Sequence, residues 1–178
     1  MPRLVEFANL LAVLGLGIVL LAAYGFQFAL GELPCPLCTL QRIAFALTAF
    51  GFVMNLRFGA KPAHYGLIIL AALFGMTASG RQVMLHIVPG SGAYGSAVLG
   101  LHFYSWAFIL FGLLVLGVAV LLLMGVPAAG TRHQPGVPAT AAAFLVIALV
   151  LANAVTTFVQ CGPIECPDDP TSYWLFSR

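Results

Sequence analysis

Five long apolar stretches separated by short polar segments constrain this chain more than any other feature. They lie at about residues 5–30, 36–56, 65–85, 103–126 and 139–159. Each holds the roughly 20 apolar residues that a helix needs to cross the hydrocarbon core of a membrane. Only 7% of the residues are charged, whereas a soluble domain carries about 25%. We therefore predict an all-α membrane protein, a four-helix transmembrane bundle plus a fifth transmembrane helix.

The connection between the fourth and fifth stretches suggests how the chain is organised. It is rich in proline and glycine and covers residues 127–138. We predict a four-helix core at 1–126 and an added unit at 127–178, which comprises this linker, the fifth helix and a cysteine-containing tail. The first stretch is longer than the apolar core of a signal peptide, about 7–15 residues, so it is predicted to be a retained span. The few basic residues are dispersed, which argues against nucleic-acid binding.

The distribution of charged residues predicts the orientation of the spans, because cytoplasmic loops carry an excess of lysine and arginine. With the N-terminus in the cytoplasm, the cytoplasmic side holds Arg3, Arg57, Lys61 and Arg132. The opposite side then holds Glu32, Glu165, Asp168 and Asp169, with Arg81 and Arg178 as exceptions. All four cysteines and the C-terminus fall on that side, where an oxidising compartment preserves disulfides. This predicts a multi-pass protein of a bacterial inner membrane with its cysteines in the periplasm.

The segment CPLCTLQR at residues 35–42 opens the second stretch and carries the strongest chemical signal. Pro36 suits the first turn of a helix, which would place Cys35 near the N-cap and Cys38 one turn further in. The helix dipole at that end stabilises an anion and so favours a thiolate. Arg42 follows on the same helix face and always carries its charge. The pattern favours a redox-active cysteine pair. Arg42 would hold either the thiolate of this pair or the reduced form of a carbonyl-type oxidant.

A second cysteine pair, Cys161 and Cys166, directly follows the fifth stretch. Gly162 and Pro163 favour a turn that brings the two sulfurs together. Two neighbouring disulfides permit a relay, in which each step is the attack of a thiolate on a sulfur atom. The alternative is that this pair only fastens the tail, in which Tyr173 and its aromatic neighbours resemble an interfacial anchor.

Other interpretations of these residues stay open. Four cysteines are enough for a tetrahedral zinc site, although no metal is predicted here. A c-type haem is excluded because Thr39, and not histidine, follows the CxxC pair. In an alternative interpretation, Arg42 extends to the membrane interface. A helical scaffold or transporter with structural disulfides is a further class, but the spans lack the buried ionisable residues of a translocation path.

The loop after the third stretch faces the same side as the cysteines. Residues 88–92 predict a turn, and residues 96–104 are expected to lie along the membrane surface. Four polar residues here are candidate partners for an oxidant: Arg81, Gln82, His86 and His102.

Taken together, these motifs resemble the bacterial DsbB family of disulfide-bond-formation membrane oxidases. The resemblance is carried by CPLCTLQR at 35–42, by residues 81–89 and by GLHFYSW at 100–106, and it covers residues 4–124. It implies a four-helix bundle that holds a quinone, ubiquinone or menaquinone, near the CxxC helix. It also implies that this quinone reoxidises the Cys35–Cys38 disulfide beside Arg42. A weaker quinone-binding role is implied for Arg81 or Gln82.

One departure from the family concerns the second cysteine pair. The family normally carries that pair in the loop after the third span, where it oxidises a soluble thioredoxin-fold partner of DsbA type. Here residues 81–103 contain no cysteine, and we predict that Cys161 and Cys166 replace the missing pair. The predicted function is that of a protein-disulfide oxidoreductase with quinone as electron acceptor. The alternative redox enzyme, a vitamin-K-epoxide-reductase-like protein, has its cysteine pairs in the reverse order.

Overall fold

The computed structural model describes residues 2–125 and 136–176, and long helices dominate it. The helices are α1 (Pro2–Ala29), α2 (Pro36–Phe58), α3 (Pro62–His86), α4 (Phe103–Leu123), α5 (Val137–Cys161) and a short 3₁₀ turn (Trp174–Phe176). Between α3 and α4 lies a small antiparallel hairpin of β1 (Ala97–Val98) and β2 (Leu101–His102). All five α-helices are long and apolar enough to cross a membrane. The predicted all-α class with five spans is confirmed, and the chain is a multi-pass membrane protein.

The ends of the helices follow local sequence signals. Proline occupies the first turn of α2, α3 and α5, where its missing N–H costs nothing. Helix α3 continues past Arg81, and α5 ends only at Cys161, two residues beyond the predicted end. Gly162 stops α5 because its φ of 66° is a left-handed conformation that glycine adopts without strain. Cys161 is therefore helical, whereas Cys166 lies in the tail.

Several predictions about connecting segments can be compared with this structure. Residues 88–92 form the expected turn, which the Ser91 amide closes by donating to the Val88 carbonyl. Residues 96–104, expected along the membrane surface, fold into the hairpin and the first residues of α4. Most of the linker at 127–138, with Arg132, lies outside the described residues, as does Arg178.

Helix α2 is the centre of the bundle. It packs against α1, α3 and α5, while α4 packs chiefly against α3. More than half of its span is buried (56%), compared with 17% for α4. In the core the rings of Phe45 and Phe111 stack with their centroids 4.1 Å apart. Residues of α1, α2 and α4 face a common space, which is the cavity described below.

Replacing Gly75 with alanine is expected to destabilise the bundle by about 1–3 kcal/mol, the usual cost of overpacking a core. The added Cβ would overlap the ring of Phe111, which Phe45 holds from its other side. The measurement is thermal unfolding in detergent. Gly66→Ala, in the same helix, is the matched control because nothing lies within 4 Å of its Cβ. Equal melting temperatures of the two variants would show that α3 and α4 are packed more loosely than described.

A buried polar network joins the first three helices at the end of the bundle opposite to the CxxC pair. Asn55 donates to the Asn9 side chain at 2.9 Å, and Asn9 donates to the Tyr65 hydroxyl at 3.1 Å. The His64 ring nitrogen Nδ1 lies 3.0 Å from Asn55 Oδ1. Because buried polar groups need partners, this network fixes the relative positions of α1, α2 and α3. The same three helices carry the site at the other end.

Candidate redox centre at one end of the bundle

The Cys35–Cys38 disulfide lies at the N-terminus of α2. Cys35 is the N-cap residue, and its sulfur accepts a hydrogen bond from the Cys38 amide at 3.1 Å. The two Cα atoms are 5.0 Å apart, a normal separation for a disulfide. This confirms the predicted place of both cysteines on the helix. The Cys38 amide and the positive end of the helix dipole therefore face the Cys35 sulfur, which would carry charge after reduction.

Gln82 of α3 covers the disulfide. Its side-chain amide nitrogen lies 3.4 Å from the Cys35 sulfur and 3.5 Å from the Cys38 sulfur. Its oxygen accepts a hydrogen bond of 2.7 Å from Gln41, which orients the amide with its N–H groups toward the sulfurs. Gln82 is only 1% exposed. By contrast, Arg81 is exposed and lies outside the cavity described below.

Arg42 is buried and reaches across to α1. It is 8% exposed, and its guanidinium donates to Gln27 Oε1 at 2.6 Å and to the Ala23 carbonyl at 3.1 Å. The guanidinium carbon also lies 5.2 Å from the centre of the Tyr24 ring. These contacts hold the guanidinium against α1, which does not favour the alternative that Arg42 extends to the membrane interface. Among residues 2–125 and 136–176 no carboxylate forms a salt bridge with it.

An apolar cavity of about 270 Å³ joins Cys38 to Arg42. This volume is near the lower end of the range for small-molecule sites, roughly 300–1,000 Å³. The walls come from α1, α2, α4 and the loop before α4, and they include Val19, Leu20, Ala23, Phe26, Phe45, Val98, Leu99, Phe103, Trp106, Ala107 and Leu110. Gln41 and Gln82 also line it, whereas Cys35 does not. The cavity thus brings one sulfur of the disulfide and one buried cation to the same apolar space.

The loop before α4 closes one side of this cavity. Glu32 accepts hydrogen bonds from the Ser96 amide and hydroxyl, and Tyr94 donates to the Leu33 carbonyl. Burial, together with the nearby carboxylates of Asp169 and Glu32, raises the pKa of Tyr94 to about 12. The protonated hydroxyl is the donor of the hydrogen bond to Leu33 that fastens the loop. The two predicted histidine partners lie near Tyr104, whose ring stacks on those of His86 and His102.

The second disulfide lies at the same end of the bundle. Cys161 and Cys166 are bonded, with Cα atoms 4.9 Å apart. Gln160, next to Cys161, donates to the Pro34 carbonyl at 2.7 Å. Further along the tail, the Tyr173 hydroxyl accepts a hydrogen bond of 3.2 Å from Gln27, the residue that also holds Arg42. The end of α5 is therefore bonded to the segment before Cys35, and the tail is bonded to Gln27, which also accepts a hydrogen bond from Arg42.

Three polar residues that organise this site are absent from the candidates predicted from the sequence. Gln27, Gln41 and Gln160 were not singled out, although each is a polar residue near the end of an apolar span. Uncharged amides inside such spans usually face the protein interior, because lipid offers them no hydrogen bonds. That signal alone would have placed them in the bundle, but not beside the cysteines.

A metal site is the remaining chemical alternative for these residues. In the described part of the chain no three His, Cys, Asp or Glu side chains are grouped so that they could hold a metal ion. All four cysteines are paired in the two disulfides. The cysteines are therefore engaged in disulfides in this structure.

Comparison with known proteins agrees with this geometry. The family model described as Disulfide bond formation protein DsbB matches residues 5–93, which cover α1 to α3 and include the CxxC pair, Arg42 and Gln82. Disulfide bond formation protein B of Nitrosomonas eutropha is 44% identical over 77 residues, 41% of this chain and 47% of that protein. The protein of the same name in Pseudomonas syringae pv. tomato is 42% identical over 88 residues, 47% of this chain and 51% of that protein.

The matched regions have clear limits. The chain spans about half the length of the curated relatives that it matches. The family match ends before α4, so α5 and the second disulfide lie outside it. No solved structure matches the chain. Half of the chain, including the CxxC disulfide and its surroundings, nevertheless matches the family model, and the chain belongs to the DsbB family of disulfide bond formation proteins.

Proposed function

We propose that this protein is an inner-membrane thiol:quinone oxidoreductase that reoxidises a soluble thioredoxin-fold protein of DsbA type. One observation carries the proposal: Cys38 and a buried arginine without a carboxylate partner line the same apolar cavity. A buried cation is costly unless a partner or a ligand compensates it, so such residues mark functional sites in membrane proteins. The orientation proposed from the charges places this end of the bundle in the periplasm.

The residues of the cavity suit a quinone. When bound, ubiquinone or menaquinone would accept two electrons and two protons. The ring and its apolar tail would be held by the side chains of α1 and α4, such as Phe26 and Phe103, while Arg42 would hold a carbonyl oxygen that gains negative charge. Gln82 lines the same cavity and faces both sulfurs. A quinone-binding role for Arg81 stays a prediction.

The surroundings of Cys38 suit it to donate electrons to a quinone in the cavity. Once the disulfide is opened, a Cys38 thiolate lies in the first turn of α2, where the helix dipole stabilises it. The Gln82 amide offers it an N–H donor, and Gln41 keeps that amide in place. Cys35 is 5% exposed and does not line the cavity. The two cysteines thus have different partners. Cys38 reacts with the oxidant, and Cys35 reacts with the incoming thiolate.

The second disulfide is proposed to connect the soluble donor to this centre. Helix α5 and the tail after it bring Cys161 and Cys166 to the CxxC end, where the Gln160–Pro34 hydrogen bond fastens the end of α5. In the relay, the donor reduces Cys161–Cys166, and the reduced pair then reduces Cys35–Cys38. Each transfer exchanges one disulfide for another, so two electrons move toward the membrane per cycle.

Replacing both terminal cysteines with serine is expected to slow donor-driven quinone reduction by on the order of 100-fold or more, because an intramolecular thiol relay is lost. The measurement is quinone absorbance, with purified protein and a reduced donor of DsbA type. Thr171→Ala, an exposed position in the same tail, is the matched control and should keep full activity. Equal turnover of wild type and the double variant would mean that Cys161–Cys166 only fastens the tail and that the donor meets Cys35–Cys38 directly.

Two other functions remain distinguishable by simple measurements. A zinc protein would bind one equivalent of zinc after reduction of the purified sample. A scaffold with structural disulfides would keep both pairs intact in mild reductant and would not reduce quinone. The vitamin-K-epoxide-reductase-like alternative has no support in the comparisons, which match the DsbB family over the CxxC segment.

A further inference from the structure

We propose that Gln27 and Tyr173 are positioning residues for Arg42. Gln27 holds the guanidinium without neutralising its charge, and Tyr173 fixes the orientation of the Gln27 amide. This inference rests on the proposed function, in which Arg42 holds a quinone carbonyl. It gives the C-terminal tail, which lies outside the family match, a role at the site of the oxidant.

The contacts of the Gln27 side chain allow only one orientation of its amide. Arginine carries donors only, so the atom that meets the Arg42 guanidinium at 2.6 Å must be the amide oxygen. The amide nitrogen then faces the Tyr173 hydroxyl, 3.2 Å away, and donates to it. Gln27 is 1% exposed, so both of its partners come from the protein. One amide thus carries a fixed contact from the tail to the buried cation.

A neutral amide is a suitable anchor for a cation that must bind a ligand. A carboxylate at this place would form an ion pair with Arg42 and would compete with a carbonyl oxygen that gains negative charge on reduction. The Gln27 amide oxygen and the Ala23 carbonyl are both neutral acceptors. They hold the guanidinium against α1 and leave its charge available to the cavity.

The tail is packed so that Tyr173 is held in place. Trp174, the next residue, lies directly on Gly162 at the end of α5, where an added Cβ would overlap the indole ring. The same ring makes an edge contact with Phe158, with centroids 6.4 Å apart, and Tyr173 makes one with Phe176 at 5.9 Å. Such aromatic pairs stabilise a structure beyond their buried area. The Tyr173 hydroxyl therefore reaches α1 from a tail that is itself fastened.

The first test is chemical labelling of Arg42 in Tyr173→Phe. This variant loses only the hydroxyl and keeps the ring, so the Gln27 amide becomes free to rotate. We expect Arg42 to react about 3–10-fold faster with phenylglyoxal, the scale of one neutral hydrogen bond. Peptide mass spectrometry of the purified protein in detergent measures the rate, with the exposed Arg57 of the same chain as internal reference.

The matched control is Tyr65→Phe. Its hydroxyl also accepts a hydrogen bond from an amide of α1, that of Asn9 at 3.1 Å, but at the opposite end of the bundle. This variant should leave the labelling of Arg42 unchanged. An unchanged rate in Tyr173→Phe, or an equal rise in both variants, would overturn the proposal. Because labelling uses no quinone, it tests the position of Arg42 separately from the oxidase assignment.

A second variant, Gln27→Glu, separates positioning from a purely structural contact. It keeps the size of the side chain and lets its carboxylate pair with Arg42, so a structural contact would survive. If Gln27 instead keeps the arginine charged for a ligand, the variant should bind a short-chain ubiquinone about tenfold more weakly, or worse, while thermal unfolding is not lowered. Calorimetry in detergent measures the binding.

The outcomes of this binding experiment are distinct. Wild-type affinity in Gln27→Glu would show that the contact is structural and would overturn the role assigned to Gln27. Tyr173→Phe should weaken the same binding by about 3–10-fold, in parallel with its labelling. If the wild-type protein itself binds no quinone, the proposed function fails, and the labelling rates alone decide whether the tail positions Arg42.

Discussion

Replacing Cys38 with serine is expected to lower quinone reduction by at least ~10³-fold, the scale of losing an essential nucleophile. Cys38 is the cysteine that lines the apolar cavity, and a serine hydroxyl can neither form a disulfide nor deliver two electrons. The measurement is steady-state quinone reduction with a reduced thioredoxin-fold donor. Turnover by C38S at a rate near that of wild type would show that electrons leave the protein by a route other than this cavity.

The matched control for that experiment is Cys35→Ser. It should also stop turnover, because the incoming thiolate loses its target, but it leaves the Cys38 thiol in the cavity. An apolar maleimide that partitions into the membrane should therefore modify the remaining thiol in C35S, whereas in C38S the remaining Cys35 thiol should resist. Cys35 is buried beneath Gln82 and does not line the cavity. Equal labelling of the two variants would contradict the separate roles of these cysteines.

Replacing Arg42 with methionine is expected to raise the KM for quinone by about 10–100-fold. The basis is that a hydrogen bond to a charged group contributes about 1.5–3 kcal/mol, and about 1.4 kcal/mol corresponds to a tenfold change. Arg42 is the buried cation of the cavity, and no carboxylate of the described residues neutralises it. Arg42→Lys should have an intermediate effect, because lysine keeps the charge but loses the planar, forked donor geometry.

The control for Arg42 is Arg57→Met, at the exposed end of the same helix. It removes a positive charge from α2 without touching the cavity, and it should leave both KM and kcat unchanged. Folding is checked by thermal unfolding, since Arg42→Met leaves Gln27 and the Ala23 carbonyl without a donor. An unchanged KM in Arg42→Met, with normal unfolding, would mean that the arginine is structural and that the oxidant binds elsewhere.

The structure also links Arg42 to the C-terminal tail that follows the fifth helix. Gln27 accepts a hydrogen bond from Arg42 and donates one to Tyr173, so one amide is shared by the cavity and the C-terminal tail. Gln160, near the end of α5, donates a second hydrogen bond to the matched part, at the Pro34 carbonyl. The part of the chain outside the family match is therefore bonded to the matched part at two points beside the CxxC disulfide.

The sequence alone was sufficient for the features that depend on local physical chemistry. Five spans follow from hydropathy and length, since a helix must satisfy its own backbone in lipid. The place of Cys35 at a helix N-cap follows from the proline after it, which has the φ angle of a first helical turn. The turn at Gly162 and Pro163 favours the Cys161–Cys166 pairing, but four cysteines allow three pairings and only the structure shows which one forms. The spans and the N-cap involve residues that are close in the chain, so a local pattern determines them.

Only the tertiary structure decided which side chains meet. Arg81 and Gln82 are adjacent in the sequence, yet one is exposed and the other is 1% exposed over the disulfide. Neighbouring residues on a helix point about 100° apart, and the packing of α3 on α2 selects the one that faces inward. Likewise Arg42 binds α1, 15 to 19 residues away, and Gln160 reaches Pro34 over 126 residues. Such contacts follow from how helices pack, which no local pattern encodes.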